Sequence, residues 1–243
     1  MAKKRTVQKE TKQEQLNIPP ETWDLDFDIN QQYTLTENQI LFLKTALSQC
    51  TNMCFIDGPA GTSKTYIAVL AALKLLKSKK IDSIIYIRSI VESASRSMGA
   101  LPGELEEKFA PWSMPMIDKL EEILEANTYN NLMNKGYIRC IPVNFTRGLT
   151  FKSACVIVDE AQNLTLCELT TLLTRFGVNS RYFVVGDTRQ SDIGTKSGFK
   201  KVFKAFDDQE CVESGIVTHV FDENDIVRSE ILKFIVNRLG AIK

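Results

Sequence analysis

The feature that most constrains this chain is a short glycine-containing stretch between an apolar run and a helical pattern. The apolar run is Met53-Cys54-Phe55-Ile56, and the stretch after it reads Gly58-Pro59-Ala60-Gly61-Thr62-Ser63-Lys64-Thr65. A strand, a tight turn and a helix start together form a cradle in which backbone N–H groups and the positive end of the helix dipole face an anion. The stretch therefore predicts a phosphate-binding loop. A chance glycine turn is disfavoured, because both the strand and the helix are present.

Side chains of the loop have predicted contacts with a bound nucleotide. Lys64 is placed to reach the β- and γ-phosphates, and Thr65 is placed to bring its hydroxyl to Mg²⁺. Ser63 departs from the pattern G-x-x-x-x-G-K-[ST], because it replaces the glycine before the lysine. The residues expected around the nucleotide are Gly58, Pro59, Ala60, Gly61, Thr62, Ser63, Lys64, Thr65 and Tyr66.

Size and composition indicate one large folded domain. The chain has 243 residues, of which 44% are apolar and 25% are charged, as in ordinary globular proteins. No run approaches the roughly 18 apolar residues that a membrane helix needs. The N-terminus carries no apolar segment, so we expect a cytoplasmic protein with no membrane partner.

Cysteine, histidine and net charge argue against several kinds of site. The six cysteines form no C-x-x-C pair and are expected to be reduced thiols. His219 is the single histidine of the sequence, so a zinc site and histidine acid–base chemistry are both disfavoured. The formal net charge is zero, and affinity for nucleic acid would therefore require a local basic patch.

Apolar runs alternate with helical patterns, which predicts a mostly parallel sheet covered by helices on both faces. The predicted strands cover 53–57, 83–88, 137–143, 154–158, 181–186 and 215–221. The predicted helices cover 37–49, 64–78, 103–126, 165–176, 196–206 and 225–239. Residues 33–243 are expected to form the folded domain. Residues 1–32 are expected to form a flexible basic arm with an acidic lead-in, which either touches nucleic-acid phosphates or is simply solvated.

Two further predicted strands end in polar clusters that fit the same site. Asp159 and Glu160 directly follow the apolar run 154–158, and open α/β sheets bind ligands at the carboxyl ends of their strands. We expect Asp159 to hold Mg²⁺ and Glu160 to deprotonate the attacking water. Gln190, in the cluster Gly186-Asp187-Thr188-Arg189-Gln190, is placed to sense the terminal phosphate, with a plain turn as the alternative.

These motifs resemble those of the PhoH family of P-loop ATPases over roughly residues 33–239. Besides the phosphate loop, the resemblance is carried by Leu101-Pro102-Gly103-Glu104-Leu105, Arg147-Gly148-Leu149-Thr150, Val158-Asp159-Glu160-Ala161-Gln162-Asn163, Gly186-Asp187 with Gln190 and Asp192, Lys196-Ser197-Gly198, and Val227-Arg228. It implies a three-layer α/β fold similar to the first RecA-like domain of superfamily 1 helicases, with ATP and Mg²⁺ as ligands. The compact chain looks like a phage-encoded or minimal bacterial member. Ser63 stands where most of the family has glycine, which is expected to slow turnover without removing binding.

The likeness to helicases implies roles for residues outside the phosphate loop. Gln39 corresponds to a glutamine that reads the adenine edge through its amide, with a solvated helix residue as the alternative. Arg88, Ser89 and Arg147 correspond to contacts with a nucleic-acid backbone, and salt-bridged surface arginines are the alternative.

Superfamily 1 helicases place arginines of a second RecA-like domain against the γ-phosphate, and we expect no such domain after residue 239. Because an arginine strongly assists phosphoryl transfer, we expect a homo-oligomeric ring in which a neighbour supplies it. Six subunits are usual for RecA-like motors, so the ring is expected to be a hexamer. The candidate arginines are Arg147, Arg175 and Arg228, with action on the nucleotide of its own subunit as the alternative for Arg228. The helix-rich stretch 103–135, with Trp112, Met114 and Met116, is expected to form either a subunit contact or a buried lid.

The resemblance therefore implies an ATPase that couples hydrolysis to binding, translocation along or unwinding of RNA or single-stranded DNA. A P-loop kinase and an ATP-dependent assembly switch are the alternatives. Glu160, directly after the predicted magnesium ligand, favours water as the phosphate acceptor and so disfavours the kinase.

Overall fold

The computed structural model describes residues 25–89, 105–227 and 230–240. The strands within these ranges are β1 (Met53–Asp57), β2 (Ser83–Arg88), β3 (Ile138–Pro142), β4 (Ala154–Asp159), β5 (Arg181–Gly186) and β6 (Ile216–Val220). The α-helices are α1 (Glu37–Leu47), α2 (Lys64–Lys77), α3 (Leu105–Ile123), α4 (Ala126–Asn134), α5 (Leu166–Leu173), α6 (Phe199–Ala205), α7 (Gln209–Glu213) and α8 (Glu230–Gly240). The predicted strands agree with these bounds to within one residue at each end.

The strands form one parallel sheet in the order β3-β2-β4-β5-β1-β6. Every residue of β4 is buried, as expected where helices cover both faces of a parallel sheet. β5 lies between β4 and β1, so that Val184 pairs with Val158 on one side while Val185 pairs with Ile56 on the other. The carboxyl ends of β4, β5 and β1 are therefore neighbours, which brings together the three loops that the sequence singles out.

Alternate side chains of each strand pack against helices on opposite faces of the sheet. Cys54 and Ile56 pack on one face with residues of α1 to α4. Phe55, between them in sequence, packs on the other face with residues of α5 and α6. The result is the predicted α/β fold with three layers, and its central helix α2 follows the phosphate loop directly.

The largest differences from the predicted helices lie in the stretches 103–126 and 225–239. The helices predicted over 165–176 and 196–206 each exceed α5 and α6 by three residues at one end. The stretch 103–126 is not one helix, because α3 ends at Ile123 and the extended backbone of Glu125 separates it from α4. The helix predicted over 225–239 is described as α8 from Glu230. Asp225, its predicted first residue, belongs instead to a separate 3₁₀ turn at Glu223–Asp225 that Asp222 caps. The short helix α7 has no counterpart among the predictions.

The apolar side chains singled out in the stretch 103–135 separate in the structure. Met116 is fully buried in the core beneath α3, whereas Met114 is exposed. The side chain of Trp112 lies outside the described residues. α3 is therefore anchored to the domain through one of its faces.

Some of the described residues that precede position 33 pack against the core. Leu25 and Phe27 are buried in the core cluster that contains α2, and the Asp28 carboxylate lies 3.4 Å from the Lys77 ammonium. The basic residues of the predicted arm lie outside the described residues. Within the described ranges, no helix is both long enough and apolar enough to cross a membrane.

Candidate nucleotide-binding site

A cavity of about 240 Å³ opens where the carboxyl ends of β1, β4 and β5 meet. It is lined by the phosphate loop after β1, by the end of β4 at Asp159 and by the end of β5 next to Asp187. Its walls are formed by Ala60, Gly61, Ser63, Lys64, Thr65, Tyr66, Lys119, Asp159, Glu160, Gln162, Val185, Gly186, Asp187 and Gln190. Most of these residues belong to the motifs found in the sequence, and the structure brings them to one place.

The phosphate loop uses two residues with positive φ. Gly61 has φ +87°, and Ser63, which precedes the first residue of α2, has φ 60° and ψ 26°. This left-handed conformation costs a residue with a side chain roughly 1–2 kcal/mol and is open to glycine. The loop pattern therefore favours glycine at this position for a backbone reason as well as for the close approach of a phosphate.

Lys64 lies across the loop. Its Nζ donates hydrogen bonds to the carbonyl oxygens of Gly58 and Pro59, at 2.7 and 2.8 Å. Burial lowers the pKa of Lys64, and the neighbouring carboxylates, led by Asp187, oppose that shift. The ammonium group is thus held at the cavity wall by weak carbonyl partners that an anionic phosphate oxygen can replace.

Thr65 and Asp159 form the most direct contact between the two halves of the site. The Thr65 hydroxyl donates to Oδ1 of Asp159 over 2.9 Å, and the buried Tyr86 hydroxyl donates to Oδ2 over 2.6 Å. A hydroxyl beside a carboxylate fits Mg²⁺, which accepts a few protein oxygens and completes its shell with water and nucleotide phosphates. No group of three or more His, Cys, Asp or Glu side chains within the described ranges could hold a metal ion by itself. The donor set therefore suits an ion that arrives with a nucleotide.

Glu160 lies beside this pair in a strained backbone conformation, with φ 52° and ψ 43°. Burial raises the pKa of its carboxyl, and the charge of Asp159 raises it further. Gln162 donates a side-chain hydrogen bond to Glu160, while Nη2 of Arg88 lies 3.9 Å from Oε1. A carboxylate with a raised pKa at the edge of a phosphate site is suited to accept a proton from water.

The end of β5 adds a second buried carboxylate. Asp187 is 5% exposed, its Oδ1 accepts a hydrogen bond from the Arg189 backbone, and its buried Oδ2 has no hydrogen-bond partner among the described residues. Burial raises the pKa of Asp187. Gln162 connects this strand end to that of β4, because its Oε1 accepts a hydrogen bond from the Asp187 backbone over 3.1 Å.

Comparison with protein families identifies the group to which this arrangement belongs. A family model described as "PhoH-like protein" matches residues 33–239. The chain belongs to the PhoH-like family. The resemblance that the sequence motifs indicated is thereby confirmed.

Curated PhoH-like proteins match most of this chain. A PhoH-like protein of Bacillus subtilis is 40% identical over 190 residues, which cover 76% of this chain and 57% of that protein. Protein PhoH of Escherichia coli is 37% identical over 197 residues, which cover 79% of this chain and 54% of that protein. The PhoH-like chain therefore spans slightly more than half the length of these relatives. Among solved structures, the Pyrococcus furiosus Hef helicase domain aligns at a TM-score of 0.43 and 13% identity, covering 79% of this chain and 41% of that one.

Gln39, which the sequence predicts to read the adenine edge, has its amide enclosed within the PhoH-like domain. It is fully buried, and its Nε2 donates to the carbonyl oxygens of Thr62 and Asp225, both at 3.1 Å. Its Oε1 accepts from the backbone N–H of Thr36 as part of a capping box. The amide thus braces the phosphate loop from behind and is not part of the cavity wall.

No arginine within the described ranges lines the cavity. Arg88 ends β2 next to the half-buried Ser89, and Arg147 is exposed beyond the 3₁₀ turn that follows β3. Arg175 lies near the amino end of β5, since its charge acts on Tyr182 and its carbonyl accepts from Phe151. Arg228 lies outside the described residues.

Four residues of the site were missed as functional side chains. Asp187 and Gln162 were quoted in motifs without a role of their own, although their positions at strand ends were a usable signal. Tyr86 and Lys119 carry no such signal, because a tyrosine within a strand and a lysine within a helix look like ordinary core and surface residues. Only the packing of β2 and α3 shows that they reach the site.

Proposed function

We propose that this PhoH-like domain binds ATP with Mg²⁺ and hydrolyses it. The observation that carries the proposal is the 2.9 Å contact between Thr65 and Asp159 within one cavity that also contains Lys64 and Glu160. Each of these residues supplies one part of a P-loop hydrolase: a cation for the phosphates, oxygens for the metal ion, and a base for water.

The roles of the residues follow from their positions. Backbone N–H groups of the loop and the Lys64 ammonium hold the phosphate chain, while the Thr65 hydroxyl and the Asp159 carboxylate hold the ion. When bound, Mg²⁺ offsets the charge on the phosphate oxygens. Glu160 orients a water molecule and takes its proton. The water oxygen bonds to the γ-phosphorus as the bond from that phosphorus to the bridging oxygen breaks, and ADP and phosphate leave.

Gln190 is proposed to respond to the terminal phosphate. It lines the cavity at the end of β5 and is exposed, so its amide is free to turn towards a ligand. Gln162 donates a hydrogen bond to Glu160 and accepts one from the Asp187 backbone. It is therefore better placed than Gln190 to fix the orientation of Glu160.

We further propose that hydrolysis is coupled to RNA or single-stranded DNA, and that the protein acts as a ring, with six subunits expected. Arg88 is the last residue of β2, and Arg147 follows the carboxyl end of β3. Both lie at the same sheet edge as the cavity, where a nucleic-acid backbone would be close to the nucleotide. Because no described arginine of this chain lines the cavity, an arginine from a neighbouring subunit would complete the site for the γ-phosphate.

Phosphate release from ATP, measured with and without single-stranded RNA or DNA, tests the proposal. We expect Mg²⁺-dependent turnover that the polymer stimulates, and loss of turnover in Lys64→Ala. Absence of turnover under every condition would refute the hydrolase, whereas turnover that no polymer changes would refute the coupling alone. A molar mass that stays monomeric with an ATP analogue and polymer present would exclude the ring.

A further inference from the structure

Lys119 is a cation of the nucleotide cavity that belongs to none of the three strand-end loops. It lies on α3, yet it lines the same cavity as Lys64 and Asp159. Its side chain is 15% exposed, and its Nζ forms an ion pair with Glu122, three residues further along the helix. Lysine is rarely buried to this extent without a specific partner.

The packing of α3 explains why Lys119 faces the cavity. Met116, Leu120 and Ile123 are fully buried in the core cluster that contains α2, which fixes the orientation of the helix. Lys119 lies three residues after Met116 and four before Ile123, so it lies on the same side of the helix as these two. The cavity wall also includes Tyr66 of α2. Because α2 and α3 pack in the same core cluster, two packed helices contribute to the cavity.

The charges of the cavity indicate what Lys119 does there. Among the described residues of the wall, Asp159, Glu160 and Asp187 are acidic, whereas Lys64 and Lys119 are basic. A nucleoside triphosphate is itself strongly anionic, and three carboxylates repel it. Lys64 alone would leave the wall with two more acidic than basic residues, and Lys119 halves that excess.

We propose that Lys119 is a second phosphate-binding cation of this site, which donates hydrogen bonds from its ammonium group to the phosphate chain of the nucleotide. Glu122 holds the ammonium at the cavity wall until phosphate oxygens replace it as the acceptor. The proposal rests on the proposed function, since it requires that a nucleotide binds here. It also assigns α3 a part in the site that a merely packed helix would not have.

An ion pair between Lys119 and Glu122 could also be an ordinary contact between neighbouring turns of a helix. Such pairs stabilise exposed helix faces and have no relation to ligands. In that case, removal of the charge would affect helix stability and leave nucleotide affinity unchanged. The two explanations therefore predict different results in a binding experiment.

The test uses the full chain and three variants. Lys119→Met keeps the long side chain and removes the charge, Lys119→Arg keeps the charge, and Lys135→Met removes an exposed lysine at the C-cap of α4, beside the amino end of β3. For each protein we would measure the affinity for a fluorescent ATP analogue, and then the displacement of this analogue by ATP and by inorganic tripolyphosphate. Thermal unfolding is the control for correct folding.

We expect Lys119→Met to lower the affinity for both ATP and tripolyphosphate by about 10- to 100-fold, because a charge-assisted hydrogen bond is lost. The affinities of Lys119→Arg should stay within a few-fold of the wild-type values, and those of Lys135→Met should equal the wild-type values. Equal tripolyphosphate affinity in wild type and Lys119→Met would overturn the inference while leaving the proposed function intact. If the wild type binds no nucleotide, the proposed function itself fails. Should Lys119→Met unfold, Lys119→Gln gives the same comparison.

Discussion

Thr65 and Asp159, which lie 94 positions apart in the sequence, are joined by a hydrogen bond of 2.9 Å from hydroxyl to carboxylate. Thr65 is the second residue of α2, the helix that follows β1, and Asp159 is the last residue of β4. The two strands do not pair, because β5 lies between them. The contact exists because α2 begins at Lys64 and turns its first residues towards the end of β4. It joins the predicted phosphate-binding and metal-binding halves of the site.

Tyr86 is expected to support the metal-binding carboxylate. Its hydroxyl donates to Oδ2 of Asp159 over 2.6 Å, and partners of this kind typically contribute 10- to 100-fold to metal affinity. Tyr86→Phe should raise the Mg²⁺ concentration that gives half-maximal ATP hydrolysis by roughly 10-fold, as measured by Mg²⁺ titration. Tyr182→Phe is the matched control, since the buried Tyr182 hydroxyl has no hydrogen-bond partner among the described residues. An unchanged Mg²⁺ requirement in Tyr86→Phe would refute this role.

Ser63→Gly should stabilise the fold. Ser63 adopts φ 60°, a conformation that costs serine energy in the folded state but is open to glycine. Glycine also makes the unfolded chain more flexible, which favours unfolding. We expect the first effect to exceed the second by up to about 1 kcal/mol. We also expect turnover to rise, because glycine gives the phosphate closer access to the backbone. Urea unfolding and phosphate release measure the two effects.

Lys79→Gly is the control for Ser63→Gly, because Lys79 also has a positive φ, of 56°, and lies outside the cavity wall. It should gain stability without any change in turnover. A lower free energy of unfolding in both variants would mean that backbone strain is not the governing effect at either position.

Glu160→Gln should bind ATP and lose hydrolysis, by about 10²- to 10⁴-fold if Glu160 is the base. The substitution should also stabilise the fold at neutral pH. Because the pKa of Glu160 is raised in the folded state, the native protein binds more protons than the unfolded chain just above the ordinary carboxyl pKa. Stability is therefore lost as the pH rises through that window, and glutamine carries no such cost. Undiminished turnover in Glu160→Gln would contradict the assignment.

The measurements for Glu160→Gln are ATP affinity, phosphate release and the thermal midpoint at two pH values. The difference in midpoint between the variant and wild type should be positive near pH 7 and should shrink below pH 4, where the wild-type carboxyl is protonated in both states. A difference that is the same at both pH values would mean that ionisation of Glu160 has no part in it.

Gln39→Ala distinguishes a bracing amide from an adenine reader. The substitution leaves the buried carbonyl oxygens of Thr62 and Asp225 without this donor, which should lower the free energy of unfolding by about 1–3 kcal/mol. The preference for ATP over GTP should stay as in the wild type. Loss of that preference with unchanged stability, measured by urea unfolding and nucleotide binding, would support the adenine reader instead.

The sheet and the phosphate loop could be predicted because their signals are local. The apolar run at 154–158 and the polar pair after it indicate a buried strand that ends at a ligand-binding edge, and the structure has β4 there. Strand ends of a parallel sheet meet at one edge, so the grouping of Lys64, Asp159 and Gln190 follows from topology.

The remaining parts of the site depend on packing that sequence patterns do not encode. Tyr86 reaches Asp159 because β2 pairs with β4 in a register that sets Arg88 opposite Asp159. Lys119 reaches the cavity because buried residues of α3 fix its rotation. Gln39 was recognised as a motif residue, but the place of its amide follows from the turn around Asp225, which was expected to be the start of a helix.

A crystal structure with Mg²⁺ and a non-hydrolysable ATP analogue tests the central claim most directly. We expect the analogue to lie in the cavity at the ends of β1, β4 and β5. Lys64 should contact its terminal phosphates, Thr65 and Asp159 should hold the ion, and Glu160 should face a water molecule beside the γ-phosphorus. An analogue bound elsewhere, or an ion that neither Thr65 nor Asp159 contacts, would refute the proposed nucleotide site.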